Sequence, residues 1–264
     1  VDNDDPECLG RRRLSIPSLL GSDLVSGWAS PCVPYGGEAG QGWLFIPEVD
    51  AGVWVEFEEG DPEFPIWVGT YWSKPGGESE LPKPNTADGA EEGSVQSPPT
   101  RKIIKTAAGH TVQFEDESGG ELLLIQEAAH GHLIVMDGQG LTVTEGQQGH
   151  EIVLDGNGVS ISEAAHTHRI IMDSQGVRIE DGLRQQRAVM RSTGVSLELS
   201  PRAELALTPG GITIDAGPGQ VQVKGSLVRL GSGAVPVIRL GDQGIGNLGA
   251  PVPITITSNA QVLA

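Results

Sequence analysis

The sequence predicts an all-β protein in two parts. A small barrel of the oligonucleotide/oligosaccharide-binding (OB) type comes first, followed by an intertwined triple-stranded β-helix wound from three copies of the chain. Three observations predict this. An 18-residue repeat runs from residue 131 to 197, the aromatic residues crowd into the first 73 positions, and 38 Gly with 18 Pro break any sustained helical pattern in the 264 residues.

Successive copies of the repeat begin at His132, His150, His168 and Gln186, each 18 residues after the last. Every copy holds a short apolar strand, a turn and a second strand. The turns are Asp137-Gly-Gln-Gly140, Asp155-Gly-Asn-Gly158, Asp173-Ser-Gln-Gly176 and Arg191-Ser-Thr-Gly194. A short fixed period means one unit stacked on its own copies, each covering a face the others cannot cover alone. Side chains alternate along a strand, so Ile134, Met136, Ile152, Leu154, Ile170 and Met172 share one face. After the turns Val159, Ile161, Val177 and Ile179 join them, and this row is the expected shaft core. The opposite face mixes Val135 and Val153 with Asp137, Glu151, Asp155 and Arg169, and is assigned to solvent. Two strands per repeat cannot enclose a core within one chain. Three chains wound together close the prism and remove lateral sheet edges, so an obligate homotrimer is expected.

All five Trp, both Tyr and three of the four Phe precede residue 73. Aromatics dominate core burial, so residues 10–73 read as the globular part after a short N-terminal segment, 1–9. Its predicted strands are Arg11–Ile16, Trp28–Val33, Gly42–Ile46, Gly52–Glu58 and Pro65–Tyr71, with Val53, Val55 and Phe57 on one face. Five short strands in so few residues fit an OB barrel. Residues 74–100, rich in Pro, Gly, Glu and Ser, read as an extended, solvated linker. The shaft follows over 101–224 and a distal region over 225–264, in which no charged residue occurs after Asp242.

Seventeen basic against 35 acidic residues give a net charge of −18, which repels phosphate backbones and excludes nucleic acid as a partner class. Cys8 and Cys32 are too few for a disulfide scaffold and are expected as buried thiols. The acidic start carries no export signal and no run of apolar residues is long enough to span a bilayer, so folding in the producer-cell cytoplasm is expected.

Several patterns invite chemistry. His130-Gly-His132 and His166-Thr-His168 put two imidazoles on one strand face, and three chains could turn six of them toward one axial ion. Their position beside turns favours partly solvated histidines instead, so no cofactor is expected. The Asp-Gly turns lack the nine-residue period of calcium-binding repeats and read as hairpin turns. A His and an Asp recurring in every rung do not make one preorganised cleft, so no catalytic residue is assigned. Arg11, Arg12 and Arg13 form a charge run on the first strand.

Residues 43–71 carry Ile46-Pro-Glu-Val49, Val53-Trp-Val-Glu-Phe-Glu-Glu-Gly-Asp-Pro62 and Pro65-Ile-Trp-Val-Gly69. This order resembles the barrel of contractile-tail central spikes, the phage baseplate assembly protein V and valine–glycine repeat type, with Asp50 where Gly is common. Ala108-Gly-His-Thr-Val-Gln-Phe-Glu-Asp116 resembles the start of that family's shaft. The resemblance implies a structural spike whose barrel docks on the tail hub and whose shaft punctures the target envelope. Arg11, Arg12, Arg13, Trp54, Trp67 and Trp72 are the expected docking residues. The interval 74–100 is too short for the lysozyme domain some relatives carry there, and the nine residues before Gly10 leave no room for a fused hub, which suggests a separate hub protein. Some relatives hold iron with a His-x-His pair near the tip; the pairs here lie mid-shaft. The expected tip buries Ile254, Ile256, Val262 and Leu263 from three chains, or seats a separate tip protein. A trimeric β-helical fibre for host adhesion or glycan depolymerisation is the alternative, weakened by a C-terminal stretch without aromatics.

Overall fold

The computed structural model describes residues 1–93, 99–199 and 203–222, together with the backbone of 243–245 and 251–253. The chain divides into two compact units, residues 1–165 and 166–264.

The first unit opens with the barrel. Its strands are β1 (Arg12–Ser15), β2 (Val25–Pro31), β3 (Val53–Phe57) and β4 (Pro65–Thr70), with a single helical turn at Pro17–Leu20. The sheet order is β1-β2-β4-β3, parallel between β2 and β4 and otherwise antiparallel. Leu14, Ala29 and Trp67 form the core, with Ile16, Ile46, Val53 and Val55 packed around them. Four strands form rather than five. Gly42–Ile46 is not a strand: only Ile46 reaches the core, and Trp43, Leu44 and Phe45 stand in solvent. Alternation cannot hold where three consecutive apolar residues share the exposed side.

The rest of the first unit is an antiparallel meander of β5 (Arg101–Lys105), β6 (Thr111–Glu115), β7 (Leu122–Glu127), β8 (His132–Asp137), β9 (Gly140–Thr144), β10 (Glu151–Asp155) and β11 (Gly158–Glu163). The second unit continues the pattern with β12 (His168–Asp173), β13 (Gly176–Asp181), β14 (Gln186–Arg191), β15 (Gly194–Leu199), β16 (Ala203–Thr208) and β17 (Gly211–Asp215). A short pair, β18 (Gln243–Ile245) and β19 (Pro251–Pro253), lies further on. The expected tip residues Ile254, Ile256, Val262 and Leu263 lie outside the described residues.

Two turn types alternate through the meander. One is a two-residue hairpin in which Asp137 pairs with Gly140, Asp155 with Gly158, Asp173 with Gly176 and Arg191 with Gly194. The positive φ falls on the closing glycine (147° at Gly140, 146° at Gly194), not on Gly138 or Gly156 inside the loop. A side chain there would strike the next strand: a Cβ on Gly140 would lie 2.1 Å from the carbonyl oxygen of Leu154. Sterics thus explain why glycine recurs at this point of the repeat. The other turn has four residues, as between Glu127 and His132 or Asp181 and Gln186. Its last residue takes positive φ at Gly131, Gly149, Thr167 and Gln185, again 18 apart.

The segment expected to be a solvated linker is anchored over 82–92. Asn85 is buried and exchanges hydrogen bonds with Gln113, whose Oε1 accepts from the Asn85 N–H and whose Nε2 donates to the Asn85 carbonyl, both at 2.8 Å. Arg101 bridges Glu92 and Glu115, and the Lys105 ammonium reaches Glu91 at 2.5 Å. This contact explains why β6 buries Thr111, Gln113 and Glu115, polar residues that each need a partner out of water.

The two faces of the meander differ from the expected assignment within a single chain. Met136, Ile152, Leu154, Ile161, Ile170, Met172 and Ile179, predicted as interior, are exposed, with Met136 at 43%; Ile134, Val159 and Val177 are half-buried. Val135 and Val189, on the face assigned to solvent, are buried, Val189 at 2%. Val189 is a short side chain flanked across the strands by the long Arg178 and by Ser196. Among the described residues, nothing of the same chain covers the larger side chains opposite.

Candidate functional site

Three features of the described residues could act on something outside the chain. The first is the outer surface of the barrel. Trp54 points away from the core on β3, because its neighbours Val53 and Val55 point in, and lies against Tyr71 with ring centroids 5.3 Å apart. Trp54 and Trp72 are each 62% exposed, and Trp43, Leu44, Phe45 and Phe64 are also exposed. Trp43 and Phe45 meet edge to face at 6.4 Å. Such an amount of exposed aromatic surface is characteristic of a docking face.

Two of the expected docking residues belong elsewhere. Trp67 is buried in the core, its indole N–H donating to the Gly10 carbonyl at 3.3 Å. Arg12 is also buried, donating from Nη2 to the Glu48 carbonyl at 2.7 Å, and burial lowers its pKa. Alternation along β1 turns Arg12 inward while its neighbours face out, so three adjacent arginines do not form one patch. Arg11 is held by Asp5 at 2.7 Å and lies over the Trp28 ring at 5.8 Å; Arg13 donates to the Ser26 carbonyl. The Arg11 guanidinium holds the Asp5 carboxyl well below the ordinary range. Trp43, Leu44, Phe45, Phe64 and Tyr71 were missed as surface residues. The density of aromatics signalled four of them, but for Trp43 and Phe45 a strand reading of 42–46 hid it. Cys8 and Cys32, expected buried, are both exposed free thiols.

The second feature is the uncovered apolar face of the meander. Ile152 lies opposite Val143 and Ile161, Leu154 opposite Leu141 and Val159, and in the second unit Met172 opposite Val177. The result in each unit is a continuous apolar row, too extensive to be left in water.

The third feature is the acidic and histidine-bearing side of the turns. Glu127 accepts the N–H groups of Ala129 and His130, Glu145 those of Gln147 and Gln148, and Asp181 those of Leu183 and Arg184. Each carboxyl is held below its ordinary pKa chiefly by a backbone N–H, from His130, Gln148 and Arg184 respectively. His110, His132 and His150 each accept a backbone N–H at Nδ1, from Ala128, Gly146 and Ala164, all at 3.1 Å. His130 and His132 stack with centroids 5.6 Å apart, and His166 and His168 stack at 5.5 Å. Most of this cluster therefore organises turns, and it offers no enclosed cleft for a substrate.

A barrel that displays aromatics, followed by a periodic meander with one unpartnered apolar face, defines a self-associating structural protein. Residues 1–72 match the type VI secretion system/phage-baseplate injector OB domain, and residues 102–167 match the phage baseplate V C-terminal trimerisation domain. No curated protein matches the chain. The two matches fall in the order of the two regions and cover a little over half of the residues. The chain belongs to the phage-baseplate and type VI secretion spike family, and it is a homotrimeric, structural component of a tail or tail-like particle.

Proposed function

We propose that the protein is the central spike of a contractile tail or injection system. The OB domain seats the trimer on the tail hub, and sheath contraction drives the shaft through the target envelope with the region after Asp242 leading. Subunits fold and assemble in the producer-cell cytoplasm, and the membrane is met only at the moment of penetration. The observation that carries this reading is the uncovered apolar row of the meander, which a trimerisation domain needs and a monomeric domain would not retain. The aromatic face of the barrel supports hub docking, since docking sites bury aromatic anchors.

The test is complementation of particles lacking their spike. The full chain should restore sedimenting particles that kill or infect. A Trp54→Ala/Trp72→Ala double variant should remain trimeric by light scattering yet fail to join them. Normal incorporation of that variant would move the docking site elsewhere. A wild-type trimer that never entered particles would overturn the spike reading.

A further inference from the structure

The turn between β7 and β8 carries a constellation that turn formation alone does not require. Glu127, His130 and His132 each present a donor atom within 4.8 Å of the other two. His130 Nδ1 lies 3.3 Å from Glu127 Oε1, and the two imidazoles are inclined by only 20°, side by side on one flank of the turn. Two backbone N–H groups fix the carboxylate, which still has lone pairs free. All three donors come from six consecutive residues of one chain, in contrast to an axial ion shared by three chains. His166 and His168 repeat the stacked pair, inclined by 19°, and Glu163 keeps the same sequence offset.

We propose that Glu127, His130 and His132 bind a divalent transition-metal ion of the zinc and nickel class, with water filling the remaining positions. Two imidazoles and one carboxylate suit these borderline ions, whereas magnesium and calcium prefer oxygen donors alone. Carboxylate orientation by Ala129 and His130 supplies the outer support that metal ligands ordinarily have. His132 uses Nδ1 to accept the Gly146 N–H, so a metal takes its Nε2 and the ring proton moves to Nδ1. Loading therefore replaces the link between His132 and Gly146 with a metal tie across the β7–β8 turn. The bound ion stiffens the margin of a rod that must bear load, a role that rests on the spike reading; the binding itself does not.

The test is isothermal titration of zinc chloride into the full-length His166→Ala/His168→Ala protein with Cys8→Ser and Cys32→Ser added, in a non-chelating buffer, so that neither the second histidine pair nor the two exposed thiols contributes heat. Saturable binding at micromolar zinc is expected, with none for magnesium. Adding His130→Ala/His132→Ala should abolish it, and Glu127→Gln should weaken it by roughly 10-fold or more. Hydrogen exchange at Gly146 should quicken on loading. In the unmutated protein, zinc should protect His130 and His132 from diethylpyrocarbonate, which tests the site without any substitution. Absence of saturable heat, heat unaffected by the histidine variants, unchanged affinity in Glu127→Gln, or no protection would each overturn the three-ligand site. Failure of hub docking in particles would leave it standing.

Discussion

The barrel and the meander bury their apolar residues in different ways. In the barrel, Leu14, Ala29 and Trp67 are buried by their own chain, and the aromatics left outside are a surface. In the meander, Met136, Ile152, Leu154 and Met172 stay exposed while Val135 and Val189 of the other face are covered. One region completes its core alone; the other leaves a core half-built for further copies to finish. Repetition explains the difference, because a two-strand unit presents the same open face at every step, whereas a curled sheet packs its own inner face, here Leu14, Ala29 and Trp67.

Substituting Ile152→Asp tests this contrast most severely. Three carboxylates buried at one level should abolish the trimer, so light scattering should no longer give three times the 27.6 kDa chain. Val153→Asp, on the opposite face, should leave the trimer assembled. Trp67→Ala should cost the barrel about 3–5 kcal/mol, seen as early loss of tryptophan fluorescence, while the trimer persists. If that change dissolved the trimer, the two regions would not be independent.

Glycine sharpens the comparison next. Gly140→Ala forces a contact with the Leu154 carbonyl and a backbone costing about 1–3 kcal/mol, and should lower the far-ultraviolet melting point. Gly21→Ala in the barrel also has positive φ, but open space around it, and should cost less.

Acid should separate the regions too. Asp155 and Asp173 have carboxyls held low by the Asn157 side chain and the Arg178 guanidinium, in addition to Glu127, Glu145 and Asp181. A depressed folded pKa gives stability that is complete above the unfolded value near ~4 and is lost as pH falls through the folded one. Among the described residues of the barrel, Asp5 is the depressed carboxyl. Since every tryptophan lies in the barrel region, far-ultraviolet dichroism should lose stability as pH falls below about 4, before tryptophan fluorescence does. The smallest expected effect is at Thr167, a β-branched residue at φ 59° where earlier repeats have Gly131 and Gly149. Thr167→Gly should stabilise the protein by about 1 kcal/mol or less, measured by thermal melting.

Much of this was legible in the chain. The 18-residue period located the paired strands, because every copy meets the same steric demand at its turn: Gly140, Gly158, Gly176 and Gly194 stand where a Cβ is disfavoured. Alternation separated the Ile152 row from the Val153 row, and the aromatics located the barrel. The candidate docking site was only half legible. Trp54 and Trp72 are exposed, but Arg12 and Trp67 face inward because alternation and barrel curvature, not residue type, choose the side. Proximity of Glu127 to His130 and His132 also escaped the sequence reading, which paired the histidines and passed over the carboxylate. Local rules of turn sterics and period-2 alternation act between neighbours in the chain, so the sequence by itself determined the strands, turns and repeat of the meander. Which side of a strand meets the core, how residues 82–92 cover β6, and which donors converge at a turn depend on groups far apart or on loop closure, and only the tertiary structure decided them.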